Sequence, residues 1–218
     1  MDSGTTKTRK FEMDIQSSRK LVCGVGKNDV DNGYKNNPEA YNAWRNMLCR
    51  AYSLKYQLNH PTYIGVTVSN EWLSFSSYLK WWNVNHVVGY AADKDILVSG
   101  NKIYSPQTVR YVPNYVNMVL VDRAASRGSL PIGVSVKGNN YRSDCNQLID
   151  STNGYLGTFD TPEEAHQAWQ KGKITAIERV IEKYRNEPNP LPEIINALNH
   201  RIQVLKDDIK AGRLTIKL

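Results

Sequence analysis

Cysteine is scarce and scattered. The 218 residues hold three, at Cys23, Cys49 and Cys145, with no Cys-x-x-Cys spacing. This argues against a zinc ribbon and a disulfide framework, and it fits a reducing compartment. Histidine is almost as sparse. His60, His86, His166 and His200 do not cluster, and none falls between 87 and 165. No stretch of the chain reaches the 18 apolar residues that a membrane-spanning helix needs, and the N-terminus lacks the apolar core of a signal peptide. The expectation is a soluble, cytoplasmic protein with no membrane partner.

What is present is an ordinary globular mixture, 40 % hydrophobic and 22 % charged. The length suffices for one large or two small domains. Lys and Arg outnumber Asp and Glu by 28 to 21, and the pI is about 9.2. A basic balance points towards an acidic partner such as nucleic acid, the alternative being a basic protein with no such role. The excess is heaviest in the first sixty residues. Residues 1–37 read as a basic flexible arm, with Lys7, Arg9, Lys10, Arg19 and Lys20 and then a polar run from Asn28 to Asn37. Such an arm can follow a phosphate backbone or remain a solvated tail.

The first helix is expected after Asn37, a capping residue, with Pro38 in its first turn and Glu39 complementing the dipole. Ala40, Tyr41, Trp44, Met47, Leu48 and Ala51 repeat at helical spacing. Pro61 ends this region, and Tyr63, Val66 and Val68 suggest a short extended piece. A second helix is expected from about Glu71 to Trp82. Its stripe of Trp72, Phe75, Tyr78, Leu79 and Trp82 reads as core rather than as a base-stacking surface.

The stretch from Ala91 to Asn117 carries the chemistry. Asp93, Lys94 and Asp95 sit between apolar residues, unlike a plain solvated turn. Ser99-Gly100-Asn101-Lys102 is a turn signal, and Thr108 to Val112 is a short β-prone run. Pro113 suits a first helical turn, and Tyr115, Val116, Val119 and Leu120 give that helix an apolar side. The order is strand, loop, strand, helix. An acidic cluster ends the first strand and Asn117 projects from the helix. A metal-dependent nuclease site has this layout, because a metal needs oxygen or imidazole ligands from two elements crossing at close range.

Three blocks give this stretch a likeness: Asp-Lys-Asp-Ile at 93–96, Asn-Lys-x-Tyr-Ser-Pro at 101–106 and Val-Pro-x-x-x-Asn at 112–117. They resemble the HNH endonucleases, in particular a bacteriophage group of HNH-like homing endonucleases. With the preceding aromatic pattern the likeness covers about Tyr41 to Asn117. It implies catalytic roles for Asp93, Lys94, Asp95, Asn101 and Asn117. It implies magnesium or manganese held by Asp93, Asp95 and Asn117, and Lys94 or Arg110 beside the developing phosphorane charge. Lys102 and Arg110 are further nucleic-acid contacts. The HNH pattern places a histidine general base at the end of the first strand, where this chain has Lys94 or Asp95. An active and an inactive site both remain open.

Ala124 to Pro131 is a linker by composition. Gly133 to Lys137 and Tyr141 to Cys145 alternate as strands about a Gly138-Asn139-Asn140 turn, and Gly154 to Phe159 makes a third. Thr161-Pro162-Glu163-Glu164 is a capping-box helix start. Ala165, Ala168, Trp169, Ala176, Ile177, Val180 and Ile181 supply the apolar side, and Gly172 interrupts it at some cost. This segment, above all Tyr155–Ala165, resembles the apetala-two-type DNA-binding domain. The resemblance implies major-groove contact from the sheet, with Lys137, Tyr141 and Arg142 as its candidates here. Finally, Ile195, Leu198, Ile202, Leu205 and Ile209 form an a/d seam after a proline-rich break at 188–192. It either folds back or pairs with a second copy, and pairing is slightly favoured.

The expected architecture is α+β: a helical platform with a ββα HNH-like unit, a three-stranded antiparallel sheet packed on one helix, and a C-terminal helix. The expected domains are the arm at 1–37, a nuclease-type domain at 38–128, a DNA-binding domain at 131–186 and an amphipathic helix at 190–218. The leading function is a phage-type protein that binds double-stranded DNA and cleaves or nicks it with a divalent metal, in the host-cell cytoplasm if phage-encoded. The alternatives are an inactive DNA-binding regulator and an interaction factor for a host protein.

Overall fold

Pro38 and Glu39 stand in the first turn of the longest helix of the first half, as expected, while the Asn37 side chain before them makes no capping bond. In the computed structural model, which describes residues 21–121, 128–145 and 154–218, helix α2 spans Pro38–Tyr52, after a single turn α1 at Gly33–Asn36. Its buried side is Ala40, Trp44, Met47, Leu48 and Ala51. The Trp44 indole N–H, fully enclosed, donates to the Trp72 carbonyl at 2.7 Å, so burial leaves no unpaired donor. Helix α3 (Leu54–Asn59) follows, then a 3-10 turn at Pro61–Tyr63 and a two-residue strand β1 (Thr67–Val68).

The second helix differs from its expected start at Glu71. Asn70–Leu73 is a 3-10 turn, Ser74 is extended, and α4 runs Phe75–Asn85. The cause is a distant cap. Asp29 accepts the Ser76 backbone N–H at 2.9 Å and the Ser74 and Ser76 hydroxyls at 2.7 and 2.8 Å, satisfying donors at the helix start. Residues 21–37 are likewise not a loose arm throughout. Val22, Val25 and Val30 pack against the Trp44–Trp72–Phe75 cluster, and Lys27 bridges to Ser74. These small apolar residues bury a little surface each, enough to hold the segment against the platform. The basic residues of the arm between 1 and 20 lie outside the described residues.

Strands β2 (Tyr90–Asp93) and β4 (Arg110–Pro113) pair antiparallel, with Tyr90 opposite Pro113 and Asp93 opposite Arg110. The strand β3 (Ile103–Tyr104) between them pairs parallel with β1. Helix α5 (Asn114–Val119) starts directly after β4. The order strand, loop, strand, helix is thus present. Pro113 closes the strand just before the helix rather than lying inside its first turn.

The second half is an antiparallel sheet of β5 (Val134–Lys137), β6 (Asn140–Asp144) and β7 (Tyr155–Phe159), in that order, against helix α6 (Pro162–Arg185). The capping box at Thr161 and Glu164 forms as expected, through bonds of 3.2 and 3.3 Å. Gly172 is a close approach rather than a mere interruption, since a β-carbon there would lie 2.7 Å from Leu156 Cδ1. Gly133, at φ +78°, leaves no room either: a β-carbon would lie 2.0 Å from the Trp169 ring.

Of the two arrangements expected of the C-terminal seam, folding back on the body is the one observed. Helix α7 (Pro192–Lys210) buries Ile194, Leu198, Ile202 and Leu205 in one cluster with Ile177, Val180 and Ile181 of α6, Val116 and Val119 of α5, and Ile96. The seam is consumed by the chain itself because six residues, Asn186 to Leu191, are enough to turn the chain back on α6. The observed class is α+β with small sheets. No helix among the described residues is long and apolar enough to cross a membrane.

Candidate active site

Helices α2 and α4 and the strand–helix unit enclose a cleft of about 620 Å³. Its lining brings together Asn46 and Arg50 from α2, Trp82 from α4 with His86 just past its end, Asp93, Lys94 and Asp95 from the end of β2, and Asn117 from α5. Four of the expected site residues therefore share one cavity.

The acidic turn is built by its own side chains. Asp93 Oδ1 accepts the backbone N–H groups of Asp95 (2.6 Å) and Ile96 (3.0 Å), so the chain turns where β2 ends. Ile96, fully buried, anchors the turn in the second core. Burial, and next to it the charge of Asp95, raises the Asp93 carboxyl above its ordinary pKa against those hydrogen bonds and Lys94. Lys94 donates to Asp95 Oδ2 at 2.6 Å and to the Asn101 carbonyl at 2.7 Å, and lies 5.9 Å from the Tyr104 ring centre. From below, Arg201 of α7 donates to the Asp95 carbonyl at 2.9 Å. Arg201 is 4 % exposed, and burial lowers its pKa against the opposing pull of Asp93 and Asp95. The turn's two negative charges thus lie beside two cations.

Asp95 also carries an orphaned acceptor, and Arg201 Nε beside the turn is an orphaned donor. Its side chain as a whole is half-exposed, yet Oδ1 is enclosed and takes no hydrogen bond. Among the described residues no three His, Cys, Asp or Glu side chains converge. A divalent ion of the kind the HNH likeness implies would have to use two carboxylates and an amide. The cleft offers those three oxygen-bearing side chains. Asp95 Oδ1 is a buried acceptor lacking a partner, and Asp93 and the Asn117 amide add oxygens on the same cleft.

Other expected residues lie elsewhere. Asn101 ties the loop together, donating to the carbonyls of Lys94 (2.9 Å) and Ile103 (2.7 Å). Arg110 does not line the cleft: its Nε pairs with Glu193 and its NH1 donates to the carbonyls of Pro106 and Val109 at 2.8 and 2.7 Å. Lys102 reaches back to the carbonyls of Thr62 and Ile64, at 2.9 and 3.2 Å.

On the three-stranded sheet, residues opposite one another share a face. Ser135, Arg142 and Thr158 align, as do Lys137 with Asn140 and, past a bulge at Ser143/Asp144, Asp144 with Tyr155. The Tyr155 ring lies 4.9 Å from the Arg142 guanidinium and 5.7 Å from the Lys137 ammonium. Arg142 is held by Asp144 through contacts of 2.7 to 3.0 Å. Tyr141 lies on the other face, with Val136 and Phe159. The aromatic beside the basic pair is therefore Tyr155.

His86 and Arg201 escaped the sequence reading. Arg201 stands 106 positions from its partner, and no local signal marks it. His86 precedes β2 by only four residues, and its cleft position follows once α4 ends at Asn85. Comparison with family models, with characterised proteins and with solved structures returns no match.

Proposed function

We propose that this chain is an HNH-like DNA-binding protein that nicks double-stranded DNA with magnesium or manganese at the cleft. One observation carries the reading: Asp93, Asp95 and Asn117 share a cavity with Arg50 and Lys94, and Asp95 Oδ1 is an enclosed acceptor with no partner. Asp93, Asp95 and Asn117 would hold the ion. Once bound it supplies Lewis acidity and a more acidic water. Arg50 and Lys94 place positive charge where a phosphodiester would lie. Lys137, Arg142 and Tyr155 offer the duplex a basic and aromatic sheet face, in the manner of the apetala-two-type domain.

A second reading, binding without cleavage, is favoured by one specific contact. Lys94 already occupies Asp95 Oδ2 at 2.6 Å, so an ion would share that carboxylate with an ammonium group. Supercoiled plasmid with either metal, run beside a gel shift in chelator, separates the two. Nicking supports the first reading, and a shift without nicking supports the second. A shift through several phosphates should also weaken steeply as salt rises. A protein with neither activity is not the DNA-binding protein proposed.

A further inference from the structure

We infer that the cleft receives one unpaired nucleotide of the bound DNA, with the Trp82–His86 ring pair as its stacking platform. This rests on the DNA-binding reading above and goes beyond it, because it names the state of the strand. In an intact duplex both faces of a base are covered by its neighbours. A ring set into a concave wall can stack only on a base that has left the helix.

Trp82 and His86 both line the cleft, and both are half-buried, unlike the enclosed core rings Trp72 and Tyr78. Their ring centres lie 4.0 Å apart and their planes 13° from parallel. Tyr111 meets both edge-on, with centroids at 5.7 and 5.2 Å. The platform is fixed before any ligand arrives, so little side-chain freedom is lost on binding. Arg50, 5.8 Å from the Tyr63 ring centre, adds a cation for the flanking phosphate. Asn46 and Asn117 bring amides, which can both donate to and accept from a base edge. The volume of about 620 Å³ lies in the range of small-molecule sites and is too small for a stretch of duplex.

The test compares three labelled DNAs of one sequence by fluorescence anisotropy in chelator: a perfect duplex, the same duplex with one bulged nucleotide, and the single strand. The bulged duplex should bind roughly tenfold more tightly than the perfect one, as one stacked base warrants. Trp82→Ala and His86→Ala should each bring that ratio close to one. Should Trp82→Ala fail to fold, as judged by circular dichroism, His86→Ala and the wild-type ratio still decide. Equal affinity for bulged and perfect duplex overturns the unpaired-nucleotide site and leaves the DNA-binding reading standing. A preference that survives both substitutions overturns the platform. Binding to the single strand alone keeps the site and overturns duplex recognition. No binding to any of the three overturns both readings.

Discussion

Asp93 is placed where its charge costs stability. Its pKa is raised, chiefly by burial, so the folded state holds the proton more tightly than the unfolded state does. The stabilising contribution is full below the ordinary carboxylate pKa, near pH 4, and is lost as pH rises through the raised folded value. Asn keeps an oxygen for the N–H groups of Asp95 and Ile96. Asp93→Asn should therefore be more stable than wild type near neutrality, with the advantage shrinking as pH falls towards about 4. Urea unfolding at several pH values checks this, and a wild type that is the more stable at pH 7 would refute it. Arg201 is likewise a buried charge that burial disfavours, but it makes a hydrogen bond that its removal would break. Replacing it with Met removes the donor beneath the Asp95 carbonyl and a buried cation near two carboxylates. Arg201→Met should lose roughly 2–4 kcal/mol, read from the urea midpoint, and a loss below about 0.5 kcal/mol would show that the turn does not need it. Asp93, Lys94, Asp95 and Asn117 were legible in the sequence because one strand–loop–strand–helix unit carries them to one cleft. Arg201 was not, because its role exists only after α7 folds back.

At the scale of elements, local signals worked where partners are local. Pro38, the Thr161–Glu164 box and the turn at Gly138 each mark a boundary through groups a few residues apart, and the structure has all three, although the Asn37 side chain makes no capping bond. The start of α4 has no local signal because its cap, Asp29, lies 45 to 47 positions away. The sheet face was half legible. Lys137 and Arg142 do share a face, but Tyr141, next to Arg142, must point the other way. Tyr155 reaches the basic face through a bulge that no pattern in the sequence announces. On the DNA-binding reading, Tyr155→Ala should weaken duplex binding while Tyr141→Phe should not. The sheet's role would be lost if Tyr155→Ala and Arg142→Ala both bound like wild type in a gel shift.

At the scale of the whole molecule, α7 joins regions that the sequence divides. Ile96 from the acidic turn, Val116 and Val119 from α5, Trp169 and Ile177 from α6 and Leu198 from α7 belong to one core. The amphipathic seam was visible in the sequence, but its partner was not, because a 3, 4 spacing says which face is apolar and not what covers it. With that face buried, the chain should sediment at its own mass of 24.8 kDa. A stable dimer at micromolar concentration would mean that another surface pairs.

On the proposed function, the cleft acts on a DNA phosphodiester. The most direct test is nicking of supercoiled plasmid by wild type and by Asp95→Ala, in magnesium and in manganese, with a gel shift of each protein in chelator. Cleavage by wild type and its loss in Asp95→Ala, with equal shifts for both, is the expected result. Equal nicking by the two proteins, or a DNA shift with no nicking by wild type in either metal, would contradict it.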